Sequence, residues 1–366
     1  MQTDLEIIDA ISQARHGVIE NPLSGLAWGK LGMVLWAHDY AEQANFCLAQ
    51  AERLDARDPR WPYFQGITLL QVDPETGIEC LRRAVERCTD TLMTPRLRLG
   101  EALLDAGRLD DAALQLQRAL ELEPANVRAR CDMGRLALLR QDWRGAIERL
   151  SDCVGDERAG RQPYTMRALA YRRLGDLKHS EEDEGRALKL DKDPKWPDPF
   201  VQQALRLQRG LAARIETAVT LRRAGRLDQA IPILEDTAKK YPHSTIAWLA
   251  LADLWHDLNQ MDRVEEACQH VLQVDPEAPQ GWYGLGCCQA VNRPREAIES
   301  FRRAIKLKPD YAVAHFNLAE CLKQLGEPAG ALEEYRATLR CRPDYEPARS
   351  ALHELAGKSS QRNKMN

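Results

Sequence analysis

Residues 312–345 read AVAHFNLAECLKQLGEPAGALEEYRATLRCRPDY, and the reading of this stretch decides the fold. Counting from Ala312 as position 1, His315, Leu318, Ala319 and Leu322 fall at positions 4, 7, 8 and 11. That spacing puts them on one face of a helix. Ala331, Tyr335 and Thr338, at positions 20, 24 and 27, form the matching stripe of a second helix. Gly326 at position 15 offers the left-handed turn that ends the first helix, and Pro343 at position 32 stops the second. Neither helix can bury its stripe alone, so the two must fold back on each other and lean on neighbours.

The same 34-residue unit recurs upstream. Units fall at 25–58, 59–92, 93–126, 127–160, 161–194, 211–244, 245–278, 279–311 and 312–345. The eighth is one residue short, in its Asn292-Arg293-Pro294 turn. Position 8 is always Gly or Ala: Gly32, Gly66, Gly100, Gly134, Ala168, Ala218, Ala252, Gly286 and Ala319. Two helices cross closely only where one lacks bulk. Position 20 is Ala in six units, namely Ala44, Ala112, Ala146, Ala230, Ala297 and Ala331. Turn glycines (Gly107, Gly175, Gly225) and terminal prolines (Pro124, Pro242, Pro276, Pro309) repeat as well.

Three segments stand outside this rhythm. Residues 1–24 read as an N-terminal capping half-repeat helix, with a capping box at Thr3-Asp-Leu-Glu6 and apolar Leu5, Ile8, Ile11 and Ile19. Residues 195–210, KWPDPFVQQALRLQRG, form a Trp- and Pro-containing insert between repeats 1–5 (25–194) and repeats 6–9 (211–345). Its X-Pro steps impose an extended path. From Pro199 a helix is predicted to run through Gly210 towards Gly225. The insert reads as a spacer, or else Trp196 and Phe200 pack into a groove or present a docking edge. Residues 346–356 read as a C-terminal capping helix and 357–366 as a disordered basic tail.

This array resembles the tetratricopeptide repeat family over nearly the whole chain. Trp282 with Leu285, Gly286, Ala297, Phe301 and Pro309, and Trp248 with Leu251, Ala252 and Pro276, carry the likeness best; Trp28, Leu31 and Gly32 open it. Some units depart from the pattern. Arg96, Arg130 and Arg214 replace the family's large aromatic at position 4, the second unit lacks the usual turn, and the fourth and fifth lack the terminal proline. The resemblance implies an all-α fold, a right-handed α-solenoid superhelix of antiparallel helix-turn-helix repeats. The small and aromatic positions hold it together: Trp28, Gly32, Gly66, Gly100, Gly134, Ala168, Ala218, Trp248, Ala252, Trp282, Gly286 and Ala319. It also implies that first helices line a concave face.

On that face the candidate partner-binding residues are Arg128, Arg135, Arg172, Arg173, Arg222 and Arg223, with aromatic Trp36, Tyr63 and Phe316. Arginine forks suit carboxylates, so an acidic extended segment is the expected ligand. Two narrower family functions fit poorly. A chaperone-tail clamp needs Lys and Asn where Gly29, Met33, Tyr63 and Ile67 stand. An asparagine ladder is met only by Asn317, beside Lys30, Phe64, Arg98 and Asp132.

Composition excludes other classes. A formal charge of −4 gives no bulk attraction to nucleic acid or anionic membranes, and acidic Asp253, Asp257 and Glu320 interrupt any basic stripe. No apolar run approaches the roughly 20 residues of a spanning helix. Asp4, Glu6 and Asp9 stand where a secretion signal would be basic. Ten cysteines without CxxC pairs, among them Cys268, Cys287, Cys288 and Cys321, read as small core residues in a reduced cytoplasm. No nucleotide-binding, zinc or nucleophile-elbow motif is present, and the eight histidines read as solvated residues. The chain is therefore expected to be no enzyme, to need no cofactor or metal, and to act in the cytoplasm. Its expected role is a protein-interaction scaffold or adaptor holding a protein or peptide partner in the groove. The alternatives are a regulatory or assembly subunit of a separate enzyme complex, and a helical-repeat nucleic-acid binder, which the charge pattern disfavours.

Overall fold

Small residues at fixed intervals let helices approach, and the chain uses them to stack hairpin on hairpin. A computed structural model describes residues 4–88, 92–190, 193 and 196–365, with side chains up to 355. It divides into two compact units, residues 1–208 and 209–366. The first opens with α1 (Leu5–Glu20), followed by five antiparallel pairs: α2 (Gly25–Ala37) with α3 (Ala41–Leu54), α4 (Arg60–Leu69) with α5 (Pro74–Arg87), α6 (Thr94–Asp105) with α7 (Leu109–Leu122), α8 (Val127–Leu139) with α9 (Trp143–Ser151), and α10 (Gln162–Arg173) with α11 (Leu177–Ala187). It closes with the short α12 (Pro199–Leu205). The second unit holds four pairs: α13 (Leu211–Arg223) with α14 (Leu227–Lys240), α15 (Thr245–Asp257) with α16 (Met261–Val274), α17 (Pro279–Gln289) with α18 (Pro294–Leu307), and α19 (Ala312–Gln324) with α20 (Pro328–Cys341). The last helix is α21 (Glu346–Met365). The described residues contain no strand, and the fold is an all-α solenoid.

The crossing within each pair explains position 8. A Cβ on Gly134 would lie 2.5 Å from the Leu150 side chain, and one on Gly286 would lie 2.6 Å from the Phe301 ring. Gly32, Gly66 and Gly100 face Leu48, Leu81 and Leu116 in the same way. The alanines at this position, Ala168, Ala218, Ala252 and Ala319, are buried, as are all six alanines at position 20. A large side chain there must push two helices apart, at a cost of about 1–3 kcal/mol or more.

Turn geometry repeats with the same period. Position 15 has positive φ in seven units, at Gly107 (72°), Gly175, Gly225 and Gly326, but also at Asp39 (65°), Gln141 (61°) and Asn259 (57°). In the second pair, α4 ends early and Gly77 packs within 2.8 Å of the Leu70 backbone, measured from where its Cβ would stand. The missing turn residue is thus offset by close backbone packing.

Position 4 has a role that its residue type conceals. The indole N–H groups of Trp28, Trp248 and Trp282 donate to the carbonyls of Pro22, Pro242 and Pro276, at 2.9, 3.1 and 2.8 Å. Arg130 donates to Pro124 at 2.9 Å and Arg349 to Pro343 at 2.8 Å, while His315 Nε2 lies 3.0 Å from the Pro309 carbonyl. Each bond reaches back six residues and satisfies a carbonyl just past a helix end. Arg130 therefore replaces the family aromatic in function as well as in place. His315 is buried rather than solvated, and its Nδ1 meets Glu334 at 2.6 Å. The Glu334 carboxylate, then residual burial working in opposition, set the balance, and the His315 pKa is raised.

Several boundaries differ from expectation. The α1 cap is Asp4, whose carboxylate accepts from Glu6 N–H; Thr3 lies outside the described residues. No continuous helix links Pro199 to Gly225: α12 stops at Leu205, and Gly210, at φ 88°, precedes α13. The final helix continues past residue 356, where a disordered tail was expected. In the fifth pair, Arg167 sits at position 7, where Leu is usual. It makes a buried two-pronged bond to Asp183 at 2.7 and 2.8 Å.

Candidate functional site

Two faces built by first helices carry the chemistry, one in each unit. In the first unit, α4, α6 and α8 present Tyr63, Arg98, Glu101, Arg128 and Asp132. Residues 196–208 lie across part of this face. Asp198 caps α12 by accepting from Val201 N–H at 3.0 Å, which turns its second oxygen towards α4 and α6. The Tyr63 hydroxyl donates to that oxygen, and Arg98 Nε and Nη2 approach it at 3.3 Å. Burial first, then the Asp198 charge, pushes the Tyr63 phenol well above its ordinary pKa, so it stays protonated and donates. The Phe200 ring packs on Tyr63 at 4.8 Å, Trp196 lies 4.7 Å from the Arg98 guanidinium, and Gln208 Nε2 donates to the Ala37 carbonyl at 2.8 Å. The insert is therefore a packed part of the first unit, not a bare spacer.

Deeper on this face, Arg128 donates to Glu101 at 2.9 Å and to Gln162 at 3.0 Å. Asp132 is 0% exposed and neither of its oxygens has a hydrogen bond; the nearest cation, Arg128, stands 3.6 Å away. Burial, reinforced by Glu101, pushes its carboxyl up to about 7. The segment does not fill the face. A pocket of about 590 Å³ opens beside Trp196, lined by Met93, Pro124, Val127 and Arg128. Another of about 640 Å³ opens beside Leu205 and Gln208, against Trp36 and Ile67.

Among the described residues, no such segment lies on the equivalent face of the second unit. Arg222 on α13 makes a two-pronged bond to Asp257 on α15, at 2.5 and 2.9 Å, and reaches Asp253 at 3.2 Å. That bonding holds the Asp257 carboxyl below its usual range. Further along, Asn317 Nδ2 donates to the Tyr283 hydroxyl at 3.3 Å, and Lys323 pairs with Glu320 at 2.7 Å. These groups, with His256 and Cys287, line a pocket of about 570 Å³.

The candidate arginines prove to be unlike one another. Arg128, Arg135, Arg172 and Arg222 each meet a carboxylate of this chain: Glu101, Asp105, Glu184 and Asp257. Arg173 lies 5.9 Å from the Trp143 ring, and Arg223 is exposed. Tyr63 is fully buried beneath Phe200, whereas Trp36 is half-buried, edge-on to Phe64 at 5.1 Å, and remains at a pocket wall. Phe316 packs between Tyr335 and Tyr345. Sequence reading missed Arg98, Asp132 and Asp198. The polar residues at position 6, Arg98 and Asp132 among them, were the available signal.

Comparison with known proteins matches this architecture. One tetratricopeptide repeat profile matches residues 96–168 and 221–285, and a second matches 289–346, together more than half of the chain. The chain belongs to the tetratricopeptide repeat family. A peroxisomal targeting signal receptor of Eremothecium gossypii is 27% identical over 229 residues, 62% of this chain and 37% of the receptor. The receptor of the same description from Saccharomyces cerevisiae is 25% identical over 236 residues, 61% and 35% of the two chains. A BBSome complex member BBS4 homolog of Drosophila melanogaster is 20% identical over 254 residues, 66% and 49%. The chain thus spans little more than a third of the receptors it matches. Among solved structures, one of MamA aligns with 40% of this tetratricopeptide repeat chain and 86% of its own, at 23% identity and a TM-score of 0.37.

Proposed function

We propose that this chain is a protein-interaction adaptor that holds a short polypeptide segment of a partner on the first-helix face of its second unit, without catalysing a reaction. The observation that carries this reading is the pocket bounded by Tyr283, Asn317, Glu320 and Lys323. An asparagine amide donates and accepts at once, so it can pair with an extended backbone whatever its sequence. Lys323 and Glu320 add one charge of each sign beside it. The similarity to targeting signal receptors supports the same class of ligand, a short signal segment on a larger protein.

An acidic partner segment is the finer reading, and Arg222 is its best support in this unit, because its guanidinium already binds carboxylates two-pronged. An incoming acid would have to displace Asp257. Ten unpaired cysteines support action in the cytoplasm, and among the described residues no helix is long and apolar enough to cross a membrane.

The test is affinity purification from the native host with the wild-type chain, Asn317→Ala with Lys323→Glu, and Arg172→Glu with Arg222→Glu. The first double variant is expected to lose a partner that the wild type retains, with helicity unchanged by circular dichroism. Loss with the arginine pair as well assigns an acidic segment. An unchanged partner set in the first variant overturns the reading.

A further inference from the structure

The first unit already displays a segment bound to its own first-helix face, and that segment shows what the face recognises. Three observations define it. A single carboxylate, Asp198, is clasped by a phenol and a guanidinium on the first helices of two successive pairs, α4 and α6. Aromatic side chains two residues to either side, Trp196 and Phe200, cover those same two groups. Each proline keeps the residue before it, Trp196 and Asp198, out of the helical region, and Phe200 follows in the first turn of α12, so both aromatic rings and the acid reach the face together.

The face is also larger than its occupant, with the pockets beside Trp196 and beside Leu205 open at the two ends of the segment. Its charge asks for an acid. Were Asp198 to leave, Arg98 would retain Glu101 at 3.3 Å, and Glu101 is already held by Arg128 at 2.9 Å. Two guanidinium groups would then share Glu101, with, among the described residues, only the buried, non-hydrogen-bonded Asp132 beside Arg128 at 3.6 Å as a further acid. Arginine in such a setting is met best by a second acid presented in its plane.

We propose that this face is a second peptide site, held closed by residues 196–208, which takes a partner segment presenting Asp or Glu between two aromatic side chains, the acid standing just before a helical turn that starts with proline. The inference concerns the first unit, and it rests on the adaptor reading only in that the ligand is a polypeptide. Binding of such a segment displaces residues 196–208, so the chain's own sequence sets the threshold that a partner must exceed.

The test uses the full chain and a labelled peptide of residues 196–208, followed by fluorescence anisotropy. The Asp198→Ala, Phe200→Ser variant, with the segment released, is expected to bind the peptide at least tenfold more tightly than the wild type. Adding Arg98→Glu is expected to abolish binding, as is replacing the peptide's own Asp with Ala. Equal binding of the acid-free peptide, or no binding by the released variant at wild-type helicity, overturns the proposal. Should that variant lose helicity, hydrogen exchange of the wild type with excess peptide decides. Faster exchange across 196–208 supports displacement, and unchanged exchange overturns it. A dimer that forms with concentration and excludes the peptide assigns the occupant to a second copy and also overturns the partner reading. Asn317→Ala is expected to leave this binding unchanged, so failure here is distinguishable from failure at the second unit's face.

Discussion

The first-helix faces of the two units use the same family geometry and charged residues of both signs, yet they differ in how the charges are sheltered. In the first unit Asp198, within the segment that aromatic rings hold down, is 3% exposed, and Asp132 on α8 is 0%. In the second, Arg222 and Asp257 meet at the surface with side chains about one-third exposed. Coulomb attraction is worth far more in the first setting, and so is the penalty for leaving a group unpaired. The lesson is that covering a repeat face shelters its polar groups and raises the stakes of each pairing, and here an insert of the chain's own does so.

The largest expected effect separates the two faces directly. Asp198→Ala leaves the buried Tyr63 hydroxyl without its acceptor and Arg98 with Glu101 alone, and should destabilise the first unit by roughly 2–4 kcal/mol. Asp257→Ala breaks an exposed pair and should cost less than about 1 kcal/mol. Chemical denaturation of both variants measures the difference, and equal costs would erase the distinction.

A pH profile sharpens the comparison further. The folded Asp132 carboxyl is raised to about 7 from an ordinary 3.8, chiefly by burial. Folded protein therefore holds a proton that the unfolded chain releases. The stabilising contribution of the protonated acid is complete below about pH 4, declines as pH rises, and is gone above about 7. Asp132→Asn should match the wild type near pH 4 and exceed it at pH 8, by roughly 4 kcal/mol for a carboxyl raised from 3.8 to about 7. A constant offset between the two denaturation profiles from pH 4 to 8 would refute this.

The smallest effects belong to the turns. Gln141 in the first unit and Asn259 in the second adopt the left-handed conformation where four other units have glycine. Gln141→Gly should stabilise by about 0.5–1 kcal/mol, and Asn259→Gly by less, since asparagine tolerates that conformation better. Thermal melts giving the reverse order would show that side-chain contacts, not backbone strain, govern these positions.

What could be read in advance follows the range of each interaction. Gly134 facing Leu150 is a contact within one hairpin, so a period of 34 residues was enough to find it. Tyr63 and Asp198 are 135 residues apart, and no local rule pairs them. The insert's residue types were visible, but whether they spaced or covered the repeats depended on where that long connection led. The ion pairs of Arg128, Arg135 and Arg222 were hidden for a related reason: each acid lies on the neighbouring first helix, about one repeat away. Position 4 could be read only for its aromatics, because periodicity cannot show that Trp, His and Arg share a hydrogen-bonding duty.

That shared duty gives the array a direction. The carbonyl of Pro309 is quenched by His315, and that of Pro343 by Arg349, so these two hairpins each borrow a contact from the helix that follows. Such a hairpin lacks that contact until the helix after it has formed. A cut just after Pro309 or Pro343 is therefore expected to weaken the upstream hairpin, through loss of this bond, more than the downstream element.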